Sequence, residues 1–394
     1  MDLIIIFGIL LALLFNFANG LNDAANSIAT IIATKALTPL QAVLLAGVFN
    51  LLGPLLFTTA IAATIGRGIV APAFLTPPLI LTAMIGAVLW VLATSYLGIP
   101  VSSSHALIGG VLGAGIAAAG MGAVFWPSVD LLKQVVAYGL AGAIPGAIIA
   151  ALLVYWTSEF RPWNLLLGGI IGGTISIPLA IITGFLEIGG ILAVVIFIVI
   201  SPVLGFISAF LLAAIVLHIF RNHHPKRLTA HFRNLQIFSG SLQAAGHGGN
   251  DAQNAMGIIT AMLLAGGLIS EFAVPLWVIL ASSLAISLGT FLGGWRVIDK
   301  MANRITKIRP YQGFCASTAA GGVLSLMNIF GIPVSTTHAI TGAIMGVGAT
   351  RGYSAVKWGV VREIVIAWVL TMPATAVVAG ICVAIAQVLT GGAL

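Results

Sequence analysis

The chain has 394 residues, of which 60% are apolar and only 6% are Asp, Glu, Lys or Arg. A soluble domain carries roughly 25% charged residues, so this composition cannot cover a surface that faces water. It excludes a soluble globular enzyme, a disordered protein and a coiled coil. Apolar tracts of about twenty residues recur along the chain, and each is long enough to cross a bilayer. The sequence therefore predicts an all-α polytopic membrane protein.

We predict about twelve transmembrane segments, of which the fourth and the eleventh are short enough to be re-entrant hairpins instead. In chain order the tracts are 3–34, 38–64, 78–97, 101–119, 131–155, 164–183, 188–219, 235–265, 272–294, 311–330, 334–350 and 358–389. The predicted organisation is a first repeat with additional helices at 1–219, a basic cytoplasmic linker at 220–234 and a second repeat at 235–394.

The basic residues predict how the chain is oriented in the plasma membrane. Most of the sixteen Lys and Arg residues lie in 221–233, 296–309 and 351–362. The positive-inside rule places these stretches in the cytoplasm, which puts both termini outside if all twelve tracts cross. A cytoplasmic N-terminus fits the same stretches if the fourth and eleventh tracts both re-enter. The net charge of +7 then belongs to cytoplasmic loops and does not indicate a nucleic-acid partner.

Two motifs recur in the same order, which identifies an internal duplication. Gly20–Asn26 recurs as Gly248–Asn254, and Gly98–Ala106 recurs as Gly331–Ala339. Seven tracts precede the second Asn-Asp motif, so the copies enter the membrane from opposite faces if all seven cross. We favour this inverted-repeat plan, whose sites lie near the midplane, although re-entrant hairpins would make the repeat parallel.

Asp23 and Asp251 each lie inside an apolar tract with no Lys or Arg in its core. A carboxylate in hydrocarbon costs on the order of 3 kcal/mol, so a compensating partner is expected. We predict a small cation such as Na⁺, held by Asp and Asn oxygens and by backbone carbonyls freed where each motif interrupts its helix. Protonation of the Asp and a hydrogen-bonded contact between packed helices are the alternatives.

Each second motif places a proline and a run of hydroxyl side chains where a new helix would begin. Pro100 precedes Ser102–Ser104, and Pro333 precedes Ser335–Thr337. Hydroxyls and free N–H groups at two facing helix N-termini could bind a tetrahedral oxyanion such as phosphate without an arginine. Simple helix capping by Ser and Thr is the alternative.

Histidines occur in two settings. His105 and His338 follow the hydroxyl runs, where they could contact the anion or relay a proton, or act as neutral packing residues. The central basic stretch contains His218, His223, His224 and His231, and there we favour a solvated loop near anionic lipid over a metal site.

Nucleotide chemistry has no support in the sequence. The chain lacks a P-loop motif, and the Gly-rich stretch 109–120 lies inside an apolar tract without an acidic ribose contact. The sequence therefore predicts no ATP hydrolysis by a P-loop, so any transport would run on an ion gradient or passively. We expect no enzyme activity and no cofactor.

The paired Gly-x-Asn-Asp-Ala-x-Asn and Pro-Val-Ser-[Ser/Thr]-[Ser/Thr]-His motifs closely resemble the inorganic phosphate transporter (PiT) family, over nearly the whole chain. The resemblance implies uptake of inorganic phosphate with Na⁺ or H⁺, external termini, inverted repeats and a homodimer. Animal members have Glu near the positions of Asn50 and Ser317, so their coupling details do not carry over. Their large central loop is reduced here to about 220–234, as in a compact prokaryotic form.

Residue roles follow from the same resemblance. The cation-binding residues would be Asp23, Asn26, Asp251 and Asn254. The residues closest to phosphate would be Asn22, Ser103, Ser104, Asn250, Thr336 and Thr337. The hydroxyl runs themselves add Ser102 and Ser335 as candidate phosphate-binding residues, and His105 and His338 follow them as candidate anion contacts or proton relays.

The predicted function is therefore secondary active import of phosphate by alternating access, with Na⁺ favoured over H⁺ as the coupling ion. Three alternatives stay open. Some bacterial members of the family carry sulfate, a passive anion channel could use the same helix starts, and a membrane phosphoesterase would need a nucleophile for which Ser103 with His105 is the only faint candidate.

Overall fold

A computed structural model describes residues 3–157 and 162–392, and every long element in these ranges is a helix. The helices are α1 Leu3–Ala33, α2 Pro39–Leu56, α3 Ala60–Arg67, α4 Pro77–Leu97, α5 Ser103–Ala119, α6 Val129–Thr157, α7 Pro162–Ile182, α8 Gly190–Ile219, α9 Pro225–Ala265, α10 Leu276–Leu292, α11 Trp295–Asp299, α12 Pro310–Ile329, α13 Thr336–Ala349 and α14 Trp358–Thr390. Between Val70 and Val124 an isolated antiparallel bridge joins two loops.

Within residues 3–157 and 162–392, seven helices are long and apolar enough to cross a membrane, namely α1, α2, α4, α6, α7, α8 and α14. An eighth span is possible if α10 and the segment Trp295–Arg304, which are bent by 65° relative to each other, act as one. The prediction of an all-helical, multi-pass membrane protein is confirmed. The number twelve stays a prediction.

Several helix boundaries differ from the predicted tracts. The tract 38–64 divides into α2 and α3, and most of the predicted linker at 220–234 forms the first turns of α9. Pro225 opens α9, since the missing N–H of proline costs nothing at a helix start. With 41 residues, α9 is roughly 60 Å long, which exceeds the thickness of a bilayer.

The prediction that each Asn-Asp motif interrupts its helix was wrong. Helices α1 and α9 run continuously through both motifs. The glycines serve close packing instead: a methyl group at Gly20 would overlap the carbonyl oxygen of Ile286 on α10, and one at Gly248 would overlap that of Asn50 on α2. Small residues of this kind let two membrane helices approach closely.

The chain leaves the helical conformation before each hydroxyl run, as predicted. Gly98 (φ 69°) ends α4 and Gly331 (φ 66°) follows α12, both in the left-handed region that favours glycine. Extended and largely buried segments then lead to the first residues of α5 and α13. The helix starts predicted at the two hydroxyl runs are confirmed.

Helices α1 and α9 pack against each other near the centre of the molecule. Around them the contacts come in matching pairs: α10 packs on α1 and α2 on α9, while α14 packs on α5 and α8 on α13. Helices α6 and α7 form a hairpin at the periphery that contacts the rest chiefly through α8. This arrangement brings both Asn-Asp motifs and both hydroxyl-rich helix starts together.

Candidate functional site

The two predicted acids are completely enclosed. Asp23 and Asp251 are each 1% exposed, and they lie on the neighbouring helices α1 and α9. Among the described residues, neither carboxylate has a Lys or Arg within 4.0 Å. The negative charge expected from the sequence is therefore buried without a permanently charged basic partner.

Hydroxyls from both helix starts point at these carboxylates. Asp23 accepts hydrogen bonds from Ser103 Oγ at 3.4 Å and from Thr337 Oγ1 at 3.3 Å. Asp251 accepts one from Thr336 Oγ1 at 3.2 Å. The structure thus joins residues that lie about 80 to 310 positions apart in the chain into one polar cluster.

The motif asparagines connect the two halves of the chain. Asn26 Nδ2, in the first half, donates to Thr336 Oγ1 at 3.2 Å and to Thr337 Oγ1 at 3.0 Å. Asn254 Nδ2, in the second half, donates to Ser104 Oγ at 2.9 Å. Each motif therefore contacts the helix start that belongs to the other half.

Ser102 and Ser335 have a different contact. Their hydroxyls accept hydrogen bonds from the backbone N–H groups of His105 at 3.4 Å and His338 at 3.3 Å, which is the geometry of an N-cap. Ser102 and Ser335 therefore cap α5 and α13, as in the alternative given for the hydroxyl runs. A role of these two residues at phosphate stays a prediction.

Asn22 and Asn250 fix the extended segments that precede the helix starts. Asn22 Nδ2 donates to Ser95 Oγ at 2.9 Å and to the carbonyl of Ile99 at 3.5 Å. Asn250 Nδ2 donates to the carbonyl of Val334 at 2.8 Å and to Asp251 Oδ1 at 2.7 Å. Each amide thus donates to a backbone carbonyl of the extended segment that leads to a helix start. A role of Asn22 and Asn250 at phosphate stays a prediction.

The amide oxygens of the motif asparagines share one property. Each is buried and has no hydrogen-bond donor; the atoms are Oδ1 of Asn22, Asn26, Asn250 and Asn254. Buried polar atoms are nearly always paired, so unpaired oxygens at four equivalent motif positions are candidate ligand atoms. Together with the two carboxylates they form a set of hard oxygen ligands suited to a cation.

His105 and His338 lie behind the helix starts and contact each other, with ring centroids 4.9 Å apart. The ring of His338 also stacks on Trp368 at 3.8 Å, and its Nδ1 lies 3.2 Å from the carbonyl of Ile198. These contacts suit neutral packing residues, and a role in proton relay or anion binding stays a prediction.

His247 is the main residue that the sequence reasoning missed. Its Nε2 atom lies 3.4 Å from Asp251 Oδ2 and 3.9 Å from Asp23 Oδ2, and its Nδ1 lies 2.9 Å from Asn50 Oδ1. The signal was available, because residues four apart on a helix share a face and His247 stands four before Asp251. Gln243, a further turn back, donates to the backbone carbonyl of Asn26 and was missed as well.

The positions at which animal members of the resembling family have Glu are polar and buried here. Asn50 contacts His247, while Ser317 lies 2.7 Å from Thr30 Oγ1 and accepts from Gln236 at 3.0 Å. Neutral side chains therefore take the place of charge at both positions.

Fold and site define a polytopic membrane protein with a polar cluster enclosed where its two halves meet. The model of the phosphate transporter family matches residues 19–165 and 219–379, and the chain belongs to this family.

Similar proteins support this membership over nearly the full length. One is named "Probable low-affinity inorganic phosphate transporter" in Rhizobium meliloti, with 42% identity over 375 residues, 95% of this chain and 94% of the relative. Another of the same name in Bacillus subtilis is 36% identical over 387 residues, 97% of each chain. The solved structure of a sodium-dependent phosphate transporter has the same fold, with a TM-score of 0.68, 24% identity and coverage of 98% of this chain and 100% of that one.

Proposed function

We propose that this protein is a secondary active symporter that imports inorganic phosphate together with a cation, Na⁺ rather than H⁺, by alternating access. The observation that carries the proposal is the buried cluster in which Asp23 and Asp251 lie beside the unpaired amide oxygens of the motif asparagines and the hydroxyls of two helix starts. Membership of the phosphate transporter family supports phosphate as the substrate.

The ligand set is the reason for preferring Na⁺. The proposed sodium ligands are Asp23, Asn26, Asp251 and Asn254, which offer carboxylate and amide oxygens with no described Lys or Arg within 4.0 Å of either carboxylate. Hard oxygen ligands suit an alkali ion. The fold neighbour is sodium-dependent by name, although its likeness to this chain supports the fold alone.

Phosphate in this proposal binds between the starts of α5 and α13. The first N–H groups of a helix have no intrahelical acceptor, and the positive end of the helix dipole favours an anion there. Ser103, Ser104, Thr336 and Thr337 add hydroxyl donors. Bound cations would offset the anion's charge, so binding of each would strengthen binding of the other.

Alternating access rests on two inverted repeats in about twelve spans. The matching contacts of α1 with α10 and of α9 with α2, and the helix starts exchanged between the halves, support this plan. We further propose a homodimer in the plasma membrane with both termini outside.

One alternative keeps the same site: the carried anion would be sulfate or a related oxyanion. A passive anion channel is the less favoured alternative, because a channel needs no paired buried carboxylates.

Uptake of radiolabelled phosphate into proteoliposomes tests the proposal. We expect accumulation driven by an inward Na⁺ gradient at constant pH, and little uptake driven by a pH gradient alone. Accumulation with the pH gradient and not with Na⁺ would establish proton coupling, and excess unlabelled sulfate that abolished uptake would indicate the other anion. Equilibration without accumulation under either gradient would contradict the symporter and favour the channel.

A further inference from the structure

His247 completes a three-ligand cluster with the two buried carboxylates, and the proposed sodium site does not use this histidine. The residue is fully buried, and Asp23, His247 and Asp251 each offer one ligand atom such that all three atoms lie within 4.8 Å of one another. His247 Nε2 is a buried polar atom without a hydrogen-bond partner, and it points at the two carboxylates.

The hydrogen bonds behind the ring determine which nitrogen carries the proton. Thr290 Oγ1 donates its single hydrogen to the carbonyl of Ile286 at 2.9 Å and accepts from Asn50 Nδ2 at 2.8 Å. The amide oxygen of Asn50 therefore faces His247 Nδ1 at 2.9 Å, so Nδ1 is the donor. In the neutral imidazole this leaves a lone pair on Nε2, aimed at two negative oxygens.

A shared metal ion explains this arrangement better than a protonated ring does. An imidazolium–carboxylate hydrogen bond is about 2.7–2.9 Å long, whereas the two separations here are 3.4 and 3.9 Å. Ligand atoms about 2.0–2.1 Å from a tetrahedral metal ion are about 3.4 Å apart. The separation of His247 Nε2 from Asp251 Oδ2 equals this ligand-to-ligand distance. A small shift of the Asp23 side chain would bring its Oδ2 atom to the same distance from His247 Nε2.

The donor set also identifies the class of ion. An imidazole nitrogen is a ligand for zinc and other first-row divalent ions, while alkali ions prefer oxygen. One divalent ion would neutralise both carboxylates. The N–H of His247 that faces away from them is already held by the side-chain oxygen of Asn50, and metal-bound histidines usually have an oxygen acceptor at this position. We propose that Asp23, His247 and Asp251 bind a single divalent transition-metal ion of the class of Zn²⁺ or Co²⁺.

This metal site is not duplicated in the repeat. Asn19 stands four residues before Asp23, where His247 stands four before Asp251. Asn19 is also buried, but an amide is a poor ligand for such an ion. The proposal shares two carboxylates with the proposed sodium site, yet it goes beyond the proposed function and does not require that phosphate is transported.

Titration of the purified full-length chain with Co²⁺, followed by optical absorption in buffer free of Na⁺ and phosphate, tests the proposal. The four histidines of the central stretch, His218, His223, His224 and His231, are first changed to Gln so that they cannot bind metal adventitiously. We expect one Co²⁺ per chain with the absorption of a low-symmetry, nitrogen- and oxygen-ligated ion. The His247→Asn variant, which introduces the residue type of position 19, should bind at least about 100-fold more weakly.

Two further variants test the metal site even if the His247→Asn protein does not fold. His247→Cys should retain Co²⁺ and add a thiolate-to-metal charge-transfer band, which a merely structural role would not produce. Asn50→Leu should weaken Co²⁺ binding by about 10- to 100-fold, since it removes the partner that orients the ring. No stoichiometric Co²⁺ binding, or unchanged affinity in a folded His247→Asn protein, would overturn the metal site. The titration contains no phosphate, so a negative result would not count against the proposed symporter. Conversely, a negative result in the phosphate uptake experiment would not count against the metal site.

Discussion

The amide of Asn254, in the second half of the chain, donates to the hydroxyl of Ser104 in the first half at 2.9 Å, and Asn26 donates to Thr337 at 3.0 Å in the reverse direction. Neither helix start can therefore move without breaking a hydrogen bond to the other half. Because both asparagines belong to the proposed cation site, this exchange ties cation binding to the position of both helix starts.

Removal of either buried charge should abolish coupled uptake. Asp23→Asn and Asp251→Asn preserve the shape of the side chain but remove the charge that would attract the cation. We expect each variant to take up no more phosphate under a Na⁺ gradient than empty liposomes do. The measurement is initial radiolabelled uptake, with folding followed by tryptophan fluorescence during thermal unfolding.

The matched control for charge removal is Asp130→Asn. Asp130 is exposed and pairs with Lys133 at 3.1 Å, and exposed pairs contribute little to stability. This variant should transport like the unmodified protein. Normal accumulation by a folded Asp23→Asn or Asp251→Asn protein would show that the carboxylates do not bind the coupling ion.

Loss of a single motif amide should weaken cation binding without abolishing it. Asn26→Ala and Asn254→Ala each remove one unpaired oxygen and the hydrogen bonds to the opposite helix start. We expect the Na⁺ concentration for half-maximal uptake to rise about tenfold, which corresponds to about 1.4 kcal/mol. Uptake measured against Na⁺ concentration checks this, and an unchanged Na⁺ dependence would place both amides outside the cation site.

Much of the architecture was predictable because composition and repetition are strong signals. The low charge predicted a multi-pass helical protein, and the duplicated proline and hydroxyl runs predicted the helix starts at Ser103 and Thr336. The duplicated Asn-Asp motif predicted which acids are buried, and Asp23 and Asp251 are indeed enclosed.

Other features depend on three-dimensional packing that the local sequence does not encode. The Asn-Asp motif that begins at Gly20 predicts a helix interruption, but α1 is continuous there and α10 packs directly against Gly20. His247 has no counterpart in the first repeat, where Asn19 stands at the equivalent position, so the duplication alone does not indicate it. The hydrogen bonds of Asn26 and Asn254 to the helix start of the opposite half likewise depend on how four helices pack. The spacing of the motifs along the chain does not determine this packing.

The hydroxyl of Thr337 should be required for phosphate binding, and its methyl group should not be. Thr337→Val keeps the side-chain shape but removes the oxygen that accepts from Asn26 and donates to Asp23 or to the carbonyl of Val101. We expect its KM for phosphate to rise about tenfold, again about 1.4 kcal/mol. Thr337→Ser retains the hydroxyl and is the matched control, with a KM close to that of the unmodified protein. Equal KM values for the Val and Ser variants would exclude the hydroxyl from the phosphate site.

The close packing of α1 on α10 and of α9 on α2 should make two glycines intolerant of the smallest side chain. A methyl group at Gly20 or Gly248 would meet backbone rather than a movable side chain, so the helices must separate. Overpacking of this kind costs about 1–3 kcal/mol, and we expect Gly20→Ala and Gly248→Ala to lower the unfolding temperature measured by tryptophan fluorescence. Gly322→Ala is the matched control on α12, because nothing lies within 4 Å of its added methyl group and alanine favours a helix. Because the separation would also shift Asn22 and Asn250, two residues further along the same helices, both variants should transport more slowly even where they remain folded. Unfolding temperatures as high as that of Gly322→Ala would show that these helix contacts are looser than the structure has them.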